Sequence, residues 1–342
     1  MAFALYLVLM AGGYFLNTKG FDSIAVNILL LIAGFGMLIK GADYFVEGAS
    51  GIADRFGIPQ IVIGLTIVAF GTSAPEAAVS IGSALKGSTA LAIGNVVGSN
   101  ILNILLILGI ASCIINLKVA KNTAYIEIPF VIFVSIVLVV MGRIQGELNL
   151  LSGIILLALF AVFFVYLIII AKKGMNESKE DNNQENNETD NVKKKSMWLL
   201  LIFTIFGMLG IVAGSDVTVD TASFIATEFG MTERLIGLTI VALGTSLPEL
   251  VTSIIAAVKG NADIAIGNIV GSNIFNILFI LGLTAVIKTI NYESGFVIDG
   301  IIAIAAAVLL FVSVIKKKEL GRMAGIIMLV CYAAYFVYLI MG

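Results

Sequence analysis

Two glutamates, Glu76 and Glu249, stand in the middle of long apolar stretches, and each closes the same short string. The strings are Gly71-Thr72-Ser73-Ala74-Pro75-Glu76 and Gly244-Thr245-Ser246-Leu247-Pro248-Glu249. A carboxylate at the centre of a membrane helix costs about 2.5–3.5 kcal/mol on insertion scales, so it is kept for a function or a partner. The proline just before it removes a backbone donor and frees the carbonyl four residues back, at Gly71 and Gly244. Hydroxyls, a freed carbonyl and a carboxylate thus meet at one depth, twice. This is oxygen chemistry for a hard cation.

More oxygens fall in register. Ser73, Glu76 and Ser80 are three and four residues apart and share a helix face. Asn95, Ser99 and Asn103 recur every fourth residue and form a second polar stripe. The other copy supplies Ser246, Glu249 and Ser253, then Asn268, Ser272 and Asn276. Ca²⁺ takes six to eight oxygen ligands from carboxylates, carbonyls and water. Two glutamates balance one Ca²⁺, and neutral oxygens complete the shell. The same cage suits Na⁺, so the two ions compete for shared carboxylates.

These stripes must be carried by membrane spans. The chain of 342 residues is 60% hydrophobic and 12% charged, against about 45–50% apolar and 25% charged in soluble domains. This makes it an integral membrane protein. There is no histidine, which removes the usual transition-metal ligand and the usual neutral-pH proton shuttle. No phosphate-binding Gly-x-x-x-x-Gly-Lys-Ser/Thr string appears, so a nucleotide-driven motor is not expected. No cofactor is expected, and no basic patch suggests nucleic acid. Cys113 and Cys331 fall in apolar runs and are expected to be buried thiols rather than a disulfide.

Ten spans are predicted at roughly 24–52, 60–86, 90–113, 124–142, 149–171, 197–226, 233–258, 263–286, 295–315 and 321–341. The apolar stretch within residues 1–23 is read as an additional membrane segment. Without a clear basic start or cleavage site, it fits a signal peptide less well. Residues 172–196, crowded with Lys, Glu, Asp and Asn, read as a solvated cytoplasmic linker. The linker separates residues 24–171 from 197–342, and the two halves repeat. From Gly64 to Gly109, 31 of 46 residues are identical to those 173 positions later, without a gap. Five spans per half is an odd number, so the second half enters the bilayer inverted. With the linker inside, fourteen Lys and Arg lie inside and five outside, with Lys40 within a span; this follows the positive-inside rule. The fold expected is an all-α polytopic membrane protein of two inverted five-helix repeats, the architecture of secondary transporters. Gly94 and Gly98 form a small-xxx-small pair suited to close helix approach.

The doubled string Gly-Thr-Ser-x-Pro-Glu, followed by Gly-Asn-x-x-Gly-Ser-Asn-x-x-Asn, resembles the two alpha repeats of the calcium/cation antiporter superfamily. Within it, the chain is similar to prokaryotic sodium/calcium exchangers from about Ile24 onward. The resemblance implies Ca²⁺ and Na⁺ as substrates, and alternating access in which the first and sixth helices slide past a fixed core. The expected partner is the lipid bilayer, with the chain read as a monomer, although the sequence does not fix the oligomeric state. It implies ion-binding positions at Ala69, Thr72, Ser73, Glu76, Ser99 and Asn103, and at Ala242, Thr245, Ser246, Glu249, Ser272 and Asn276. The two alanines would act through their backbone carbonyls. One departure stands out. Potassium-dependent relatives have aspartate where this chain has Asn276, which weakens the case for K⁺ co-transport.

Plainer roles compete at several positions. Buried glutamates can be held neutral for structure, and Asn95, Asn268, Asn100 and Asn273 can serve as packing hydrogen bonds between helices. Asp43, Glu47, Asp216 and Asp220 lie towards helix ends, where helix pairing accounts for them as well as ion access does. Among functions, H⁺/Ca²⁺ exchange through protonation of the same glutamates is the closest alternative. A channel would be built around a pore axis, and an intramembrane protease would have no use for the hydroxyl and amide stripes.

Overall fold

The computed structural model describes residues 24–85, 87, 89–184, 196–230 and 242–341. The first half contains α1 (Ile24–Phe56), α2 (Gln60–Thr72), α3 (Ala74–Leu85), α4 (Thr89–Ile114), α5 (Thr123–Gln145) and α6 (Leu150–Gln184). The second contains α7 (Met197–Glu228), α8 (Ala242–Thr245), α9 (Leu247–Val258), α10 (Ala262–Ile287), α11 (Ser294–Ile315) and α12 (Arg322–Met341). Eight of these helices are long and apolar enough to cross a bilayer, and α2 with α3 form a further span bent by 47°. The tenth expected span, 233–258, starts outside the described residues and ends in α8 and α9. The expected extra segment at 1–23 also lies outside them.

Helix α6 does not stop where the apolar run ends. It continues to Gln184, so the start of the expected linker is a helical extension of the fifth span. Residues 172–184 include Lys, Glu and Gln but no proline, and a helix can leave the bilayer with its backbone bonds intact.

Four two-residue strands tie the loops of the two halves together. Leu117 and Lys118, after the third span, pair antiparallel with Leu320 and Glu319, before the tenth. Glu147 and Leu148, before the fifth span, pair with Ile290 and Asn291, after the eighth. If both halves ran the same way, the loops after the third and eighth spans would share a side. Each is instead stitched to a loop one span further along in the other half. The second repeat is therefore inverted, as the odd span count requires.

The first and sixth spans show the inversion in their packing. Gly34 faces Gly214, Gly41 faces Gly207, and Gly48 faces Leu200 and Thr204. Numbers on one helix rise as those on the other fall, so α1 and α7 run antiparallel. Glycine every seventh residue brings backbone against backbone. A methyl group at Gly41 would lie 2.7 Å from the Ile211 nitrogen and 2.8 Å from the Gly207 carbonyl oxygen.

Helices α4 and α10 form the buried centre, while α6 and α12 are the most exposed spans. Outward-facing side chains such as Leu29, Ile32, Val162, Ile169 and Val330 are apolar and exposed, as lipid contact requires. The cysteines differ from expectation. Both are free thiols, but Cys113 is only partly buried and Cys331 is exposed on α12, because apolar surface in a membrane protein can be satisfied by lipid as well as by a core. Asp43 lies well inside α1 and pairs with Lys259, Nζ to Oδ1 2.6 Å, and with Lys40 at 3.4 Å.

Candidate functional site

The glutamate helices start at a break. Ser73 and Ser246 leave helical geometry at φ/ψ of −83°/9° and −95°/6°, and a new helix begins immediately after each. Pro75 and Pro248 therefore lie in the first turn of α3 and α9, where a missing N–H matters least. Glu76 and Glu249 lie in the same first turns, at the helix end whose dipole favours negative charge. The preceding segments α2 and α8 end here, and the C-terminal ends of half-helices present carbonyls suited to cations. In the second copy the freed carbonyl has found a donor: Ser215 Oγ, on α7, donates to the Gly244 carbonyl at 3.0 Å. Sequence reasoning did not find this contact. The position 173 residues earlier is Ala42, which has no hydroxyl to offer Gly71.

A serine before a helix usually caps it. Here the hydroxyls cross to the other repeat instead. Ser73 Oγ donates to Glu249 Oε1 at 2.8 Å, and Ser246 Oγ donates to Glu76 Oε1 at 3.1 Å, with Ser99 Oγ 3.3 Å from Ser246 Oγ. Both carboxylates are fully buried and close enough to feel each other's charge.

The amide stripes divide into two functions. Asn95 Nδ2 bonds the Ser80 hydroxyl at 3.0 Å and the Glu76 carbonyl at 3.3 Å. Asn268 Nδ2 bonds Ser253 Oγ at 2.9 Å and the Glu249 carbonyl at 3.5 Å, and its Oδ1 accepts from Thr72 at 3.0 Å. Ser80 and Ser253, expected beside the glutamates on the cavity face, are thus engaged by amides that brace the glutamate helices. Asn103 and Asn276 behave differently. Each uses its Nδ2 on an amide of the opposite repeat, at 3.0 Å in both cases.

Five buried oxygens at this centre have no hydrogen-bond donor: Glu76 Oε2, Glu249 Oε2, Asn103 Oδ1, Asn276 Oδ1 and Ser272 Oγ. Buried acceptors are normally satisfied. Four of these five are carboxylate or amide oxygens that accept and do not donate when the carboxylates are ionised, so together they suit a cation. Ala69, Thr72, Ser73 and Ser99 are buried around them, and the Ala69 carbonyl accepts the Ser73 N–H at 3.0 Å. Ala242 opens α8, and Thr245 ends it, partly buried.

Close packing supports the arrangement. Gly267 and Gly271 on α10 lie against Gly64, Leu65 and Ala69 of α2, so that a methyl at Gly271 would be 2.8 Å from the Leu65 Cα. For Gly94 and Gly98, the stretch of the second repeat that is equivalent in sequence to Gly64 and Leu65 lies outside the described residues. Phe70 and Phe275, next in sequence to Gly71 and Asn276, form an aromatic cluster with Phe160 and Phe279, with ring centroids 4.5–6.0 Å apart. In both repeats the site asparagine opens a π-helical turn, Asn103–Leu108 and Asn276–Leu281, a distortion common at functional sites.

Inverted repeats whose interrupted helices meet at a shared set of oxygens define a secondary cation transporter. The chain matches the sodium/calcium exchanger protein family over residues 26–169 and 199–341 and belongs to that family, whose members are exchangers rather than enzymes. It is 35% identical to the sodium/calcium exchanger MaX1 of Methanosarcina acetivorans over 92% of this chain and 99% of the relative. It is 36% identical to the putative antiporter CaxA of Alkalimonas amylolytica over 91% and 97%. Its fold superposes on a solved structure of the sodium-calcium exchanger NCX_Mj, soaked with Na⁺ and Sr²⁺, with TM-score 0.79 and 29% identity, covering 92% of this chain and 99% of that one.

Proposed function

We propose that the protein exchanges Na⁺ for Ca²⁺ across the cell membrane, working as a single chain with residues 172–196 on the cytoplasmic side. The ions compete for Glu76 and Glu249, with Thr72, Ser73, Ser99, Asn103, Thr245, Ser246, Ser272 and Asn276 and the carbonyls of Ala69 and Ala242 completing the shell. The observation that carries this reading is the group of buried oxygens without donors around two carboxylates. Two negative charges in dry surroundings are offset by one Ca²⁺ or by Na⁺ ions arriving together. Reorienting the site without a cation would carry bare charge through the bilayer, which is strongly unfavourable. Exchange is therefore favoured over leak. The excess of Lys and Arg on the linker side supports the orientation, and the names of the relatives support the ions. Access alternates as α1 and α7 slide along the core.

One observation favours a second reading. Each carboxylate keeps one oxygen with no partner, which a proton can occupy as well as a metal ion, giving H⁺/Ca²⁺ exchange. Purified protein in liposomes separates the two. Isotopic Ca²⁺ uptake is expected to need an outwardly directed Na⁺ gradient and to ignore a pH gradient. Uptake driven by the pH gradient with no Na⁺ present would replace Na⁺ by H⁺ in the assignment.

A further inference from the structure

We propose that Asn100 and Asn273 are positioning residues, which decide that Asn103 and Asn276 turn oxygen and not nitrogen towards the transported cation. The inference rests on the cation site proposed above. A primary amide has an acceptor end and a donor end of almost the same shape. Only the acceptor end attracts a cation; the NH₂ end repels it. Something must therefore break the tie, and in this chain it is a backbone group that cannot be reversed.

The Asn100 backbone carbonyl can only accept, and it faces the Asn273 side chain at 3.2 Å, so that side chain must present its Nδ2 there. The Oδ1 of Asn273 is thereby left to face Asn103, and it too can only accept. Asn103 meets it with Nδ2 at 3.0 Å. That forces the Oδ1 of Asn103 to the opposite side, where it is buried and without a donor. The mirror chain runs from the Asn273 carbonyl to Asn100 Nδ2 at 3.2 Å, and from Asn100 Oδ1 to Asn276 Nδ2 at 3.0 Å. It leaves Asn276 Oδ1 buried and free in the same way. All four amides are buried, so water does not compete for these bonds.

The test uses Ca²⁺-dependent thermal unfolding together with exchange in liposomes. Asn100→Leu keeps the branched shape, with somewhat bulkier methyl ends, but removes both polar ends; Asn100→Ala removes them without adding bulk. Each is expected to raise the Ca²⁺ concentration for half-maximal effect by about tenfold, the worth of one directed hydrogen bond. A merely structural role is tested by a cycle with Asn276→Asp, whose ionised carboxylate has two equivalent oxygens and no wrong end. In that background Asn100→Leu should add less than about twofold, and Asn273→Leu should behave likewise in Asn103→Asp. The full tenfold loss recurring in both Asp backgrounds would overturn the proposal. So would wild-type Ca²⁺ response in Asn100→Leu while Glu76→Gln has lost it, a result that leaves the cation site standing. An undiminished response in Glu76→Gln would overturn the site and this inference together.

Discussion

Among the helix pairs that bridge the repeats, two are joined in opposite ways. Between α4 and α10 the contact is four directed amide hydrogen bonds, each with one acceptable donor, acceptor and distance. Between α1 and α7 it is glycine against glycine, and the hydroxyls of Thr204, Thr218 and Thr221 turn back onto carbonyls of their own helix. A displacement of one ångström breaks the first kind of contact. The second has glycine backbone against backbone at every seventh residue, with no directed side-chain bond at those contacts. On the function proposed above, the difference separates the part that would hold the site from the part that would slide past it.

Substitutions can break this contrast. The largest effect is expected in the fixed part. Removing one buried charge from a two-carboxylate cage by Glu249→Gln leaves the divalent ion underbalanced by about 2–5 kcal/mol. Isotopic Ca²⁺ exchange should fall about thirtyfold or more, in step with lost Ca²⁺ binding. Gly41→Leu acts on the pair proposed to move. The atoms nearest its added Cβ are all backbone across the contact, with overpacking worth about 1–3 kcal/mol. Turnover should drop about tenfold while equilibrium Ca²⁺ binding stays as in the wild type; equal losses of both would mean that α1 and α7 shape the site itself.

Smaller effects lie where the two parts touch. Ser215→Ala removes the bond from α7 to the Gly244 carbonyl, about 1 kcal/mol net. It should shift the balance of inward- and outward-facing forms by about fivefold, read from the labelling rate of a reporter cysteine on each side. Lys259→Ala deletes the partly exposed pair with Asp43, worth about 0.2–1 kcal/mol. Exchange should change by no more than about fivefold, and by less at high salt. A larger change would promote that pair to a gate.

The repeat, its inversion and the polar stripes were all legible in the chain, because identical residues 173 apart and an odd span count need no coordinates. The way the oxygens are shared out was not. Ser73 and Ser246 share a string with their own glutamates, yet each bonds the glutamate of the other repeat, a pairing that spacing along one helix cannot contain. Ser80 and Ser253 have cavity-facing spacing but are taken by Asn95 and Asn268. The glycines of α1 and α7 were visible at intervals of seven, but which helix they faced depended on how the halves meet. Asn100 and Asn273 looked like ordinary packing amides until the direction of each bond could be followed.

The crossed serine–glutamate bonds carry a consequence for the architecture. A polypeptide containing only one repeat would hold a carboxyl group whose hydroxyl companion belongs to a different five-span unit. Such a unit becomes complete only beside a copy lying upside down in the same bilayer, so fusion into one chain fixes an encounter that separate molecules would have to make by chance.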